Sequence, residues 1–420
     1  MLNPLLRAGT LPTFQKLING GYSAPLKVTI PPVSIPSWPC LFSGLTPYQL
    51  GYCGFTHPEK GVFNSYQWRK NAIFSNSSLR SCVLNIPGTF PAWKINGEMI
   101  TGMLSPKISY YPKKLEKTIN KNWIIEGDNI SEIFKAFKIK SEYFLKKLDM
   151  DFELLIYVIR LPDSLSHHAH EDPQNILRYI DLAYKKIDDF LAKVLEYKFD
   201  NLFIFSDHGL KLYKKEFNVT SFLQKQGLLK FNKSKRDILL SVLLKLYDPI
   251  RPLSNTNYLK KIYNNFITIL NEKKEVLPKE SEVLAAKSHN SRISRYSGNV
   301  GGLFLKEKYK NILGDIKQSL ESEDRVKRVI QLDFRGFPDL FIVLKENYIF
   351  SAKNSLFLTR NRFTLNHQRK GIFISYGKDI KKGGSKSINY FDIAPTILKL
   401  YEIGKSEGMI GDYIDILKEK

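Results

Sequence analysis

FELLIYVIR at residues 152–160, YIDLAYKKIDDFLAKVLEY at 179–197 and NLFIFSDHGL at 201–210 carry the reading that decides the fold. The first is an apolar run rich in branched residues, of strand length, that ends ahead of Pro162. In the second, Ile180, Leu182, Ala183, Ile187, Phe190, Leu191 and Val194 recur near helical spacing, so it reads as an amphipathic helix. The third begins as a buried strand, Asn201–Phe205, and turns at Ser206. Strand, helix and strand in that order predict parallel pairing and an α/β sheet.

Working outward, Leu11 to Leu17 has a helix pattern closed by Asn19-Gly20-Gly21, and Leu26 to Ile30 alternates as a strand running into Pro31-Pro32. Further strands are expected at Cys82–Ile86, Gly301–Leu305, Leu340–Leu344 and Gly371–Ser375, and a helix at Ile393–Tyr401. Between about 230 and 290 lysines and leucines alternate in helical style around a break at Asp248-Pro249-Ile250-Arg251-Pro252. The expected organisation is therefore a core begun by 1–229, a helical insertion or cap at 230–290, and the rest of the core at 291–420.

With 420 residues and 43% hydrophobic content the chain is globular, neither disordered nor fibrous. No apolar run approaches the ~18 residues of a transmembrane helix. Cys40, Cys53 and Cys82 are an odd, sparse set without metal-ligand spacing, and read as reduced thiols of a cytoplasmic protein. A net charge of +23 suits polyanions or phosphorylated substrates, but the lysines are spread along the chain without a dense basic block. Charge by itself names no partner, and no specific nucleic-acid partner is indicated.

The acidic residues and histidines fall near strand ends, where open α/β sheets bind ligands. Asp207-His208, followed by Gly209, suits metal ligation; the competing reading is a loop Asp capping the next helix with a surface His. Asp163 and His167 stand at i, i+4 on one helical face, and carboxylate with imidazole is a common zinc pair. His168 and His170 could substitute, and a polar surface turn would look the same. His367, in NHQRKGIFISYG, is alone in its segment. In PPVSIPSWPCLFSGLTP a strand runs toward Ser34, and Pro36 suits a helix start. A hydroxyl there meets backbone amides that favour phosphate, although a capping serine is equally at home. Ser37 and Ser43 are weaker candidates for the same role.

Taken in order, PPVSIPSW, PDSLSH, SDHG, NHQRKGIFI and DIAPTIL resemble the alkaline phosphatase superfamily, specifically the type I phosphodiesterase/nucleotide pyrophosphatase proteins. LNIPGTFPAWKINGEMITGMLSP, FNVTSFLQKQGLL, SRISRYSGNVGGLFL and GFPDLFIVL extend the likeness, which runs from about Gly9 to Leu417. The resemblance implies a three-layer αβα sandwich with a mostly parallel central sheet. It implies a metal-dependent hydrolase of phosphate esters, diesters above all, acting on a small phosphorylated substrate through a phosphoseryl intermediate. Ser34 is then the nucleophile; Asp163, His167 and His367 hold one divalent cation; Asp207 and His208 hold a second that also binds Ser34. The cations are zinc, or manganese in some members, and a pair roughly 4 Å apart stabilises both oxygens of an in-line displacement. The family pattern also includes a strand ending in a ligand Asp ahead of the point where Met1-Leu2-Asn3-Pro4 stands. The expectation is thus either an upstream segment or an incomplete second site. Tyr52 and His57 lie in the region of a phosphoryl-contacting residue without matching a motif. Alternatives are a weak relative that binds phosphorylated or anionic ligands, and a phosphotransferase or mutase of the same superfamily.

Overall fold

A computed structural model describes residues 2–119, 123–168, 175–228, 285–287, 291–352, 358–385 and 387–418. The chain divides into two compact units, Met1–Leu212 with Thr364–Lys420, and Tyr213–Phe363.

In the first unit, strand Tyr22–Lys27 pairs antiparallel with Lys370–Gly377, Leu26 facing Gly371 and Tyr22 facing Ser375. Lys370–Gly377 then pairs antiparallel with Asn201–Phe205, Phe373 opposite Phe205. Short strands Gly383–Gly384 and Ile388–Asn389 run parallel to Tyr22–Lys27. A second sheet has the order Tyr110–Tyr111, Gly97–Ile100, Ser81–Leu84, Leu154–Tyr157, with Ser81–Leu84 parallel to both of its neighbours.

Alternation along these strands sends successive side chains to opposite faces. Leu84, Ile100, Leu155, Leu202, Ile204 and Ile374 join one cluster with Phe144 of helix Ile130–Leu148 and with Ile187, Phe190 and Leu191 of helix Ile176–Val194. Their neighbours Val83, Met99, Ile156, Phe203, Phe205 and Phe373 turn the other way. They meet Ile35, Leu41 and Phe42 of helix Ser34–Ser43 and Ile393 and Ile397 of helix Ile393–Leu400. Helices thus cover both faces.

The pairing differs from the mostly parallel central sheet that the sequence predicts. Leu154–Tyr157 and Asn201–Phe205, joined through helix Ile176–Val194, do not pair with each other. The first joins Ser81–Leu84 and the second joins Lys370–Gly377, so both sheets are mixed. The helix satisfies its apolar stripe on both sheets at once, which strand–helix–strand order cannot announce.

In the second unit an all-antiparallel sheet runs Ala285–Lys287, Ser291–Ser297, Val300–Leu305, Leu340–Leu344, Val326–Gln331. Ile316 and Leu320 of helix Leu313–Glu321 close its core over Ile293, Leu303 and Ile342. The helical insertion expected at 230–290 lies outside the described residues, except for 285–287, which are extended. Among the described residues no helix is long and apolar enough to cross a membrane.

Candidate active site

Three backbone approaches draw the expected residues together in the first unit. After strand Asn201–Phe205, Ser206 N–H donates to Ile372 O at 3.2 Å, and Ser206 Oγ accepts from Ile372 N–H at 3.1 Å. Gly209 is needed directly after Asp207-His208, because a Cβ there would stand 2.2 Å from Lys370 O. On the other side of Lys370–Gly377, Val28 N–H donates to Arg369 O at 3.1 Å, which brings the Pro31–Ser34 turn over the same strand end.

Ser34 is 4% exposed and opens helix Ser34–Ser43; Ile35 is non-helical, so the hydroxyl sits on a kink ahead of the regular turns. Its side chain hydrogen-bonds Asp207. Asp163 stands in the first turn of helix Leu161–His167, with His167 as its last residue. Asp163 Oδ1 lies 3.1 Å from His367 Nε2, 3.4 Å from His167 Nε2 and 3.8 Å from His208 Nε2. His208 Nε2 is 3.4 Å from Asp207 Oδ2, and neither atom makes a hydrogen bond although both are buried. The His208 and His367 rings stack at 3.6 Å and 14°. All six residues named from the sequence therefore stand together. The tightest set is Asp163, His208 and His367, whose ligand atoms lie within 4.8 Å of one another. The two ligand sets suggested by sequence thus interleave around Asp163.

Electrostatics follow from burial. Burial and His208 push His367 down to about 4, against the pull of Asp163, and burial likewise lowers His208. Burial raises Asp163, but His167 and His367 outweigh it and hold the carboxyl well below its usual range. Burial and the Asp163 charge raise Asp207 to about 7, against His367 and the Ser34 hydrogen bond. His367 Nδ1 donates to Pro32 O at 3.1 Å, so in the neutral ring Nε2 presents a lone pair to Asp163 Oδ1. Lone pair facing carboxylate, beside unbonded His208 Nε2 and Asp207 Oδ2, is a donor set that fits a divalent cation.

One neighbour escaped the sequence reading. Arg160 Nη2 donates to Asp163 Oδ2 at 3.1 Å and ion-pairs with Glu126. It occupies the carboxylate oxygen that faces away from the imidazoles. An arginine one turn before a candidate acidic ligand was the signal available.

Three of the rivals make side-chain hydrogen bonds of their own. Ser43 Oγ donates to Pro39 O at 2.6 Å, and Ser37 is wholly buried. His57 Nδ1 accepts from Glu59 N–H and Lys60 N–H at 3.1 and 3.2 Å, and Tyr52 OH donates to Lys60 O at 3.3 Å, within one turn. His168 caps helix Leu161–His167, and His170 lies outside the described residues.

An α/β core with a serine, two carboxylates and three imidazoles gathered near strand ends places the chain in the class of α/β enzymes that bind their ligands there. Residues 2–357 match the family of type I phosphodiesterase / nucleotide pyrophosphatase, and the chain belongs to it, an enzyme family of phosphoric ester hydrolases in the alkaline phosphatase superfamily. No curated protein matches the chain in sequence. Among solved structures it is similar to human ectonucleotide pyrophosphatase / phosphodiesterase 5, with TM-score 0.56, 13% identity and coverage of 97% of this chain and 95% of that one. The murine protein gives TM-score 0.55 at 12% identity, covering 97% and 95%. An inactive variant of the murine protein in complex with AMP gives TM-score 0.54 at 12% identity, covering 97% and 94%. At these identities the likeness is one of fold.

Proposed function

We propose that this chain hydrolyses phosphodiesters of small phosphorylated substrates, with Ser34 as nucleophile, at a site made by Asp163, His167, Asp207, His208 and His367. The observation that carries this reading is the convergence of six residues, spread from position 34 to 367, on one cluster, with His167 at its exposed rim and the serine hydroxyl bonded to Asp207. Asp163, His167 and His367 would hold one divalent cation, and Asp207 and His208 a second, with zinc the first candidate and manganese the other. Such cations supply Lewis-acid stabilisation of phosphoryl and alkoxide oxygens.

The chain's own residues do the rest. Asp207 accepts the Ser34 hydrogen bond and so orients Oγ for attack on phosphorus, the hydroxyl proton passing to solvent. The ester oxygen leaves and a phosphoseryl enzyme remains, which water then hydrolyses. Ser34 opens helix Ser34–Ser43, so the phosphoryl group would lie at that end of the helix. His367 is held by Pro32 O, and Arg160 fixes Asp163. The AMP complex of the structural relative supports a nucleotide-like substrate, and three buried free cysteines suit a reducing, cytoplasmic setting.

The test is turnover of a chromogenic phosphodiester by purified protein supplied with Zn2+ or Mn2+, compared with Ser34→Ala. Zinc binding without turnover in the unaltered protein would favour a relative that only binds phosphorylated ligands.

A further inference from the structure

Lys140 is a lysine where a helix buries its apolar face. It lies on Ile130–Leu148, is 5% exposed, and its Nζ donates to Asn85 Oδ1 at 2.8 Å and to Ile125 O at 2.7 Å. Neither acceptor is charged. Burial lowers its pKa to about 7. Around it Asn85, Ile125, Glu126, Tyr157, Arg160 and Ser164 line a cavity of 30 Å³, room for about two waters.

The groups that Lys140 touches lead toward the ligand carboxylate. Asn85, in the left-handed region at φ 65°, follows strand Ser81–Leu84, and its Nδ2 donates to Val158 O at 2.7 Å, just past strand Leu154–Tyr157. Two residues on, Arg160 ion-pairs with Glu126 and donates to Asp163 Oδ2. Glu126 is the residue after Ile125, whose carbonyl Lys140 holds. Gly127 has no latitude either, since a Cβ there would stand 2.4 Å from Ile133 N. The segment is thus pinned at Ile125 by the lysine and at Gly127 by the helix, and Glu126 is presented between the pins.

We propose that Lys140 is a positioning residue for the Asp163 carboxylate, acting through the 125–126 segment and Arg160. The proposal rests on the reading of Asp163 as a metal ligand. A lysine amine suits the task, because two of its N–H groups reach two separate oxygens, Asn85 Oδ1 and Ile125 O, from one side chain. The charged or titratable groups facing it are Glu126, Arg160 and Tyr157; none is a ligand of the site. A leucine or methionine at 140 would pack against Phe137 and Ile133 as well, but would leave Asn85 Oδ1 and Ile125 O buried and unpaired.

The experiment measures Zn2+ affinity by competition with a chromogenic chelator, together with kcat and KM, on the full chain and on Lys140→Met, Glu126→Gln and the double variant. Outer partners of metal ligands set affinity by about 10–100-fold, so each single variant is expected to bind Zn2+ about tenfold more weakly and to lose kcat more than KM. The double variant is expected to lose little beyond either single, since both cut one connection. A Lys140→Met protein with a lower Tm but unchanged Zn2+ affinity overturns the proposal. So do unchanged affinity in Glu126→Gln and fully additive losses. If Lys140→Met does not fold, Glu126→Gln alone decides. Absence of Zn2+ binding by the unaltered chain strikes the metal reading itself, a different failure.

Discussion

Residues 213–363 bury Phe217, Leu303 and Ile342 among an antiparallel sheet, the parallel pair that Tyr348–Ser351 makes with Lys215–Asn218, and helices Val219–Lys225 and Leu313–Glu321, and hold none of the six candidate site residues. The unit of 1–212 with 364–420 holds all six, on two mixed sheets between helical layers. What separates them is where strands end. In the second unit antiparallel neighbours spend many strand ends on turns, whereas in the first the ends of Leu154–Tyr157 and Asn201–Phe205 lead into helix Leu161–His167 and the Ser206–His208 link, which carry Asp163, Asp207 and His208. Chemistry should therefore be sensitive to changes in one unit and indifferent to small changes in the other.

The sharpest break between the two comes from Ser34→Ala. Loss of a covalent nucleophile should lower kcat by about a thousandfold or more with Zn2+ content unchanged; retained turnover of a chromogenic diester removes Ser34 from the mechanism. His367→Ala should weaken Zn2+ binding by about a hundredfold, since the ring is fixed by Pro32 O and faces Asp163; chelator competition reads this directly. Lys140 adds a pH effect on stability. Its folded pKa of about 7 lies below the unfolded 10.5, so the unfolded chain binds the extra proton between those values and stability rises with pH across that window. From pH 7 to 9 the rise is roughly 2 kcal/mol. Urea unfolding midpoints of wild type and Lys140→Met should converge or diverge accordingly, and parallel pH curves would refute the assignment.

In the other unit, Ile342→Val should cost about 1 kcal/mol of stability with kcat/KM unaltered. A loss of activity at a temperature where the variant stays folded would erase the contrast between units. Smallest of all, Arg80→Ala removes an exposed pair with Asp151 and should change stability by less than about 1 kcal/mol. Denaturant titration at two salt concentrations checks it.

Much of this was legible from local pattern. Asn201–Phe205 and Leu340–Leu344 fall where apolar runs place them, and the helix expected at 179–197 is observed at Ile176–Val194. The strand expected at Leu26–Ile30 is instead Tyr22–Lys27, because the backbone past Lys27 turns toward Pro31-Pro32. His367, ahead of the strand expected at Gly371–Ser375, itself lies within a strand, Thr359–Gln368. Partners were harder to read than elements. Whether Lys370–Gly377 runs with or against its neighbours depends on contacts hundreds of residues apart, and periodicity carries no such information. Arg160 and Lys140 were hidden for a related reason: a charged residue near an apolar run looks solvated until the structure supplies what surrounds it.

Strand Tyr22–Lys27 lies near the start of the chain, and its pairing partners are Lys370–Gly377, Gly383–Gly384 and Ile388–Asn389, near the end. Helix Pro12–Gly20 is likewise capped by a distant group, Asp188, which accepts from Thr13 and Phe14 N–H at 3.1 and 2.8 Å. During synthesis at about 5–20 residues per second, the first strand must wait tens of seconds for its partners. Residues 213–363, by contrast, are contiguous and emerge while that strand is still waiting. Ser34 is thus made early and becomes part of a site only after His367 has left the ribosome. A chain halted between residues 208 and 366 carries the serine and both aspartates but lacks His367.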